Sequence, residues 1–355
     1  MIIHKRLLHD AGIRKAVKNG VIKFSNPVSD NQYQPASLDI RIGNAFIYDQ
    51  ESYRLAQEYL SAQQKKKSFS IDTFEMDTRF AKKYDDVDNV PILIPSRARA
   101  ELYFHEQIRT EFDMSYELRS SRGRLGLVPQ NIFIQNDGHG QYISLVNHSP
   151  NSIILYGQSK FAQIFFHPKK THRANGAWMT DPLKVGELFS EFDSKGLILP
   201  DGRLVFTVGD SLLRMRKMPE PIDTRKPSPE NLYEKISLKK PYVLSPHEVT
   251  IVSLMPALSL DDRTGVRLLW RNNSSDGLSM IDGHVVSAGW VDPNYKNTVT
   301  AHPIKRGLTQ RIKEGDPFVT GQVYRYFNAV SRSYGSSGLG NHYSGDSGGL
   351  SGSRS

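Results

Sequence analysis

The chain has 355 residues, enough at roughly 150 residues per domain for two domains with a core in each, which excludes a peptide-sized or unstructured reading. Its 46 Lys+Arg against 37 Asp+Glu leave a formal charge of +9, which favours an anionic partner without choosing among nucleotide, nucleic acid and membrane surface. The absence of cysteine excludes disulfides, thiolate nucleophiles, cysteine-held iron-sulfur clusters and zinc sites built on Cys, among them the His/Cys/Cys site of zinc nucleobase deaminases.

Along the chain, Leu7, Leu8, Ile13 and Val17 at helical spacing predict a short helix over 4–18, closed by Asn19-Gly20. No run approaches 18 apolar residues and the first 19 residues are broken by charges, so a cytoplasmic protein without a membrane span is expected. Short alternating stretches follow at 37–42, 131–134, 142–146 and 161–166, punctuated by Asn136-Asp137-Gly138 and Asn147-His148-Ser149-Pro150. That pattern predicts a mostly-β protein with one helical insertion around 51–64. The Pro-rich run 217–230 reads as an extended connector, and the Gly/Ser-rich tail after Arg332 reads on composition as a disordered terminus.

An internal repeat is visible. Leu38 and Gly43 stand five apart in Pro35–Gly43, as do Leu204 and Gly209 in Pro200–Gly209. Ser121-Arg122-Gly123-Arg124-Leu125 pairs with Thr264-Gly265-Val266-Arg267-Leu268, and Ala162-Gln163-Ile164-Phe165 pairs with Gly321-Gln322-Val323-Tyr324. The three landmarks in one order predict a duplication, with a first repeat at 1–190, a second at 191–330 and an arm at 331–355.

Two stretches carry chemistry. Arg119-Ser120-Ser121-Arg122-Gly123-Arg124 is an ordinary polar turn or a set of hydroxyl and guanidinium donors for phosphate oxygens. In Ala288-Gly289-Trp290-Val291-Asp292-Pro293-Asn294-Tyr295, the Asp starts a tight turn and the Tyr ring offers a stacking platform. Other signals are bland. Lys65-Lys66-Lys67 is a solvated face, the basic loop 167–173 has no acidic partner for a metal, and no P-loop or dinucleotide fingerprint is present.

In this order the motifs resemble the trimeric deoxyuridine triphosphatase and dCTP deaminase superfamily, and the length and glycine-rich arm resemble its long, duplicated bacterial dCTP deaminases. The resemblance implies two tandem dUTPase-like distorted β-barrels (β-clip) with a short N-terminal helix, in a homotrimer with active sites between subunits or repeats. It also implies hydrolytic conversion of dCTP to dUTP and ammonia in pyrimidine deoxynucleotide metabolism, with Mg²⁺ carried on the triphosphate and no zinc. Nucleic acid is not an expected partner.

By the same resemblance, Ser120, Ser121 and Arg124 supply the hydroxyls and guanidinium that orient water and base. The backbone of Ala288 reads the base, Asp292 holds sugar or water, and Tyr295 packs on the deoxyribose. Arg267 is the arginine of a degenerate copy in which Arg263-Thr264 replace the serines. Gly335, Gly338, Gly340 and Tyr343 belong to an arm that closes over phosphate, while 344–355 stays disordered. Where the family has its catalytic Glu, this chain has His302, and the first half offers Ser144 at the looser equivalent. A neutral His is a competent general base near pH 7, and a packed or surface His is the competing reading. Two alternatives to deamination therefore stay open: a dUTP diphosphatase, in which Asp292 activates water toward phosphate, and a nucleotide-binding relative that has lost its base.

Overall fold

The computed structural model describes residues 6–49, 81–84, 90–133, 140–168, 176–245, 248–270, 289–302 and 310–331. Two mainly antiparallel sheets carry the fold, and they share one strand order. In the first, β1 (Leu38–Tyr48), β2 (Arg99–Phe104), β3 (Asp113–Leu118), β4 (Tyr142–Asn147) and β5 (Lys160–His167) lie side by side as β3-β5-β1-β2-β4. In the second, β6 (Leu204–Met215), β7 (Thr250–Ser259), β8 (Thr264–Trp270), β9 (Lys296–Ala301) and β10 (Pro317–Tyr326) lie as β8-β10-β6-β7-β9. The fold is mostly β and barrel-like, as the alternating stretches predict.

The repeated Leu-to-Gly spacing has a structural cause. The ladder between β1 and β2 changes register between Ile42 and Ala45, and the ladder between β6 and β7 changes register between Val208 and Leu212. Gly43 and Gly209 sit at these two irregularities. A Cβ on Gly43 would stand 3.3 Å from the His105 backbone, and one on Gly209 would stand 3.1 Å from Ser253 Cβ. Each strand bends where a side chain has no room.

Each sheet covers its own core. Ile40, Leu102, Ile143 and Ile164 belong to the first, and Leu204, Phe206, Leu254 and Val323 to the second. A smaller cluster joins the halves, built from Leu7, Ala36, Phe165, Ala177, Tyr324, Tyr326 and Val330. Burying an aromatic of this size contributes roughly 1.5–3 kcal/mol, so the joint is a packed seam.

Several local expectations are corrected. The predicted helix over 4–18 is shorter: α1 spans Asp10–Lys18, while Leu7 and Leu8 lie in a strand, Arg6–Leu8, paired with Gly176–Met179. Burial across a sheet takes these two leucines from the helix face, and Asn19-Gly20 closes α1 as expected. The connector 217–230 is stitched to the first half, because Ile222-Asp223 pairs with Ile153-Ile154, Ile222 is buried in the first core and Met218 packs against it. The segment Ser120–Arg124 forms one helical turn, α2. Two helices not foreseen, α3 (Pro182–Leu188) and α4 (Ser190–Ser194), lay Val185 and Phe192 on the second core. The helical insertion at 51–64 and the turn at 136–138 lie outside the described residues.

Gly209→Val is expected to lower the free energy of unfolding by about 1–3 kcal/mol, read as a lower urea midpoint at unchanged m-value, because the bend leaves no volume for the added carbons.

Candidate active site

The turn α2 is held from both ends. The Arg122 and Gly123 amides donate to the Arg119 carbonyl at 2.8 and 3.1 Å. Gly126 then turns the chain with φ +87, where a Cβ would meet Val249 Cγ2 at 2.7 Å. From the second half, the Tyr233 hydroxyl donates to the Arg124 carbonyl at 2.8 Å. Ser120 is partly covered and Ser121 is exposed on the same turn.

The Arg124 guanidinium acts electrostatically on Tyr233, Tyr295 and His302. The structure therefore brings the first half's Ser-Ser-x-x-Arg turn to the second half's β9 within one chain. His302 follows β9, is 2% exposed, and has Nε2 3.4 Å from Thr300 Oγ1. Burial first, and Arg124 second, push its pKa down to about 3, so the ring is neutral at neutral pH. Tyr295 is buried and donates its hydroxyl to the Thr298 carbonyl at 2.7 Å; burial pushes that hydroxyl up to about 12.

Asp292 occupies a second, acidic neighbourhood. Its carbonyl accepts from the Tyr295 amide at 3.3 Å, and Asn294 adopts φ +68, which makes the predicted tight turn. The Trp290 indole N–H donates to Asp292 Oδ1 at 2.9 Å. Burial raises the carboxyl to about 7, with Asp39 and Glu117 adding to the rise against the indole bond. Asp39, fully buried on β1, is itself raised by burial despite Arg119 at 3.7 Å and Lys160 at 3.6 Å. Burial, with Arg119 nearby, lowers Arg122 to about 10. Arg119 thus links the basic turn to the acidic group.

Arg267 is a correction. Its strand β8 fills the slot of β3, not of α2: Arg267 pairs in register with Gln322 as Glu117 does with Gln163. Its partner is Glu117, with Nη2 3.2 Å from Oε1, so it is not the structural counterpart of Arg124. Chemical likeness of Ser-x-x-Arg to Thr-x-x-Arg misaligned the two. Ser144 is buried on β4, in register with Glu101 and Asn131. Ala288, Gly335, Gly338, Gly340 and Tyr343 lie outside the described residues. The foot of the arm is described: Ser331 donates its amide to Asp10 Oδ1 at 3.2 Å and its hydroxyl to Oδ2. Tyr326 stands near both Asp10 and Asp292. Among the described residues, no three of His, Asp and Glu are placed to hold a metal ion, and no helix is long and apolar enough to cross a membrane.

Sequence reasoning passed over Asp39, Glu117, Tyr233 and Trp290. Asp39 and Trp290 had a signal, since they sit inside the Pro35–Gly43 and Ala288–Tyr295 motifs.

Comparison with known proteins agrees with this architecture. The family described as 2'-deoxycytidine 5'-triphosphate deaminase (DCD) N-terminal domain matches residues 4–128, a span that includes Asp39, Glu117 and α2. Over that stretch the chain resembles the dCTP deaminase N-terminal domain. One relative, "dCTP deaminase, dUMP-forming" of Sulfurihydrogenibium sp. (strain YO3AOP1), is 27% identical over 165 residues, covering 45% of this chain and 82% of the relative. The crystal structure of 2'-deoxycytidine 5'-triphosphate deaminase from Agrobacterium tumefaciens matches in fold with a TM-score of 0.66 at 15% identity, covering 91% of this chain and 99% of that one. The likeness in fold thus extends through both sheets.

A carboxyl whose folded pKa of about 7 lies above its unfolded value contributes stability that is present below the unfolded pKa and lost as pH rises through 7. Asp292→Asn is therefore expected to gain on the order of 1–3 kcal/mol relative to the parent protein between pH 5 and pH 8, measured by urea unfolding at both pH values.

Proposed function

We propose that this protein is a dCTP deaminase that hydrolyses dCTP to dUTP and ammonia at a composite site between its own two halves. The observation that carries this reading is the approach of Arg124, on α2, to Tyr295 and His302 on the β9 segment. The shared strand order of the two sheets supports a duplicated origin, with the halves dividing near 190 and the site at their seam. One chain then holds both parts of the site. The homotrimer implied by the resemblance is a further expectation, checked by light scattering.

In the reaction, a water oxygen adds to C4 of cytosine and becomes the C4 carbonyl oxygen, the exocyclic C4–N bond breaks, and of the two water protons one leaves on ammonia and the other ends on ring N3. Arg124 and the Ser120 and Ser121 hydroxyls supply donors to the charge that develops at the pyrimidine. His302, held neutral, accepts a hydrogen bond from the water and orients it, and its low basicity suits it to placement rather than proton storage. Asp292 titrates in the working range and holds the sugar or carries a proton. Arg119, Arg122 and Lys160 concentrate positive charge beside α2 for the triphosphate. Mg²⁺ enters as part of that substrate, coordinated by phosphate oxygens. No step draws on zinc.

Incubation with dCTP and Mg²⁺ is expected to release ammonia and dUTP, and absence of both removes the reading. Arg124→Ala is expected to lower kcat by about 10²–10³-fold through loss of a preorganised donor. The relative named as dUMP-forming favours a second product pattern, in which water also attacks the α-phosphate and dUMP with pyrophosphate appears. Anion-exchange analysis of the products separates the two. If dCTP binds without turnover, the site is that of a binding relative, and His302→Glu is then expected to create deaminase activity.

A further inference from the structure

On β3, Glu117 alternates with Tyr116 and Leu118, which enter the first core, and its carboxylate meets the second half. Both carboxylate oxygens are used there. Oε2 accepts the Gly289 amide at 2.8 Å, and Oε1 lies 3.2 Å from Arg267 Nη2, with both side chains close to nine-tenths covered. The Gly289 carbonyl in turn accepts from the Leu268 amide. A Cβ at 289 would stand 3.0 Å from the Leu268 carbonyl oxygen and 3.3 Å from Glu117 Oε1, so the clamp closes tightly only on glycine.

The clamp lies upstream of both parts of the site. Glu117 stands three residues before Ser120, and Gly289 stands three residues before Asp292, although 172 residues of chain separate the two. We propose that Glu117, balanced by Arg267, is a positioning residue that fixes the spacing between α2 and the Asp292 turn and sets the charge facing Asp292. The proposal rests on the composite-site reading given above. The groups facing Asp292 are Asp39 from β1, Glu117 from β3, Tyr326 from β10 and the Trp290 indole from its own segment. Arg119 and Lys160 compensate Asp39, Arg267 compensates Glu117, and Asp10 stands beyond Tyr326.

The experiment separates tether from charge. Glu117→Gln keeps an oxygen acceptor for Gly289 but removes the negative charge and leaves Arg267 without its counter-ion, so Asp292 should release its proton at lower pH. The pH at which it does so is read from the stability difference between each background and its Asp292→Asn derivative, from pH 5 to pH 9. The expected shift is downward by about one pH unit, a tenfold change in proton affinity. The same shift should appear in the acid limb of the kcat profile for dCTP. Arg267→Lys, which keeps the positive charge, should stay within about a third of a unit of the parent. Glu117→Ala, which also releases Gly289, should lower kcat at least about tenfold further than Glu117→Gln.

An unmoved stability midpoint in Glu117→Gln overturns the proposal. If Glu117→Ala fails to fold, the Glu117→Gln midpoint decides. A protein that shows the midpoint shift but never turns over dCTP retains the clamp and loses the deaminase reading; one that turns over dCTP with an unmoved midpoint does the reverse.

Discussion

A guanidinium from one half of the chain, Arg124, acts on side chains of the other half, and the site depends on that crossing. The Tyr233 hydroxyl takes the Arg124 carbonyl at 2.8 Å, and the charge at the end of the side chain bears on Tyr233, Tyr295 and His302. As a class, guanidinium groups hold their positive charge more firmly than ammonium or imidazolium groups. Burial first, and that charge second, lower the basicity of His302.

The opposite arrangement holds a few residues away. Asp39, Glu117 and Asp292 come together from β1, β3 and the turn before β9, and Arg119, Lys160 and Arg267 compensate the first two. Asp292 is faced instead by the Trp290 indole and the other carboxylates, and its carboxyl rises to about 7. One strand segment, 289–302, thus carries a neutral histidine and a titrating aspartate, each set by a different neighbourhood. The seam between the halves supports both. Phe165 and Tyr324 pack against the Trp290 ring, and a Cβ on Gly265 would stand 2.4 Å from it.

Much of the framework was legible in the residues. Period-two alternation marks Tyr142–Val146 as a strand because Ile143 and Leu145 face the core. The repeated Leu-to-Gly spacing marks two equivalent bends because a bulge excludes a side chain wherever it recurs. Ser120, Arg124, Asp292, Tyr295 and His302 were recognised from motif order. Asp39 and Trp290 sat inside quoted motifs without being assigned a role, and Glu117 and Tyr233 had no local pattern at all. The equation of Arg267 with Arg124 failed because similar side chains at similar spacing do not identify a slot in a sheet; only the register with Gln322 does.

Local composition and order by themselves determined that the chain is mostly β, that Leu and Gly recur at one spacing where two strands bend, and which motifs carry hydroxyls, guanidinium groups and a turn aspartate. These are short-range properties, set by side-chain period and backbone sterics. Tertiary structure decided which motifs meet. It joined Arg124 to His302 and Glu117 to Gly289 across more than 170 residues, and it moved Asp292 and His302 away from their ordinary protonation ranges. Burial and the approach of charges are long-range properties, and no residue states in its own neighbourhood along the chain what will be packed against it.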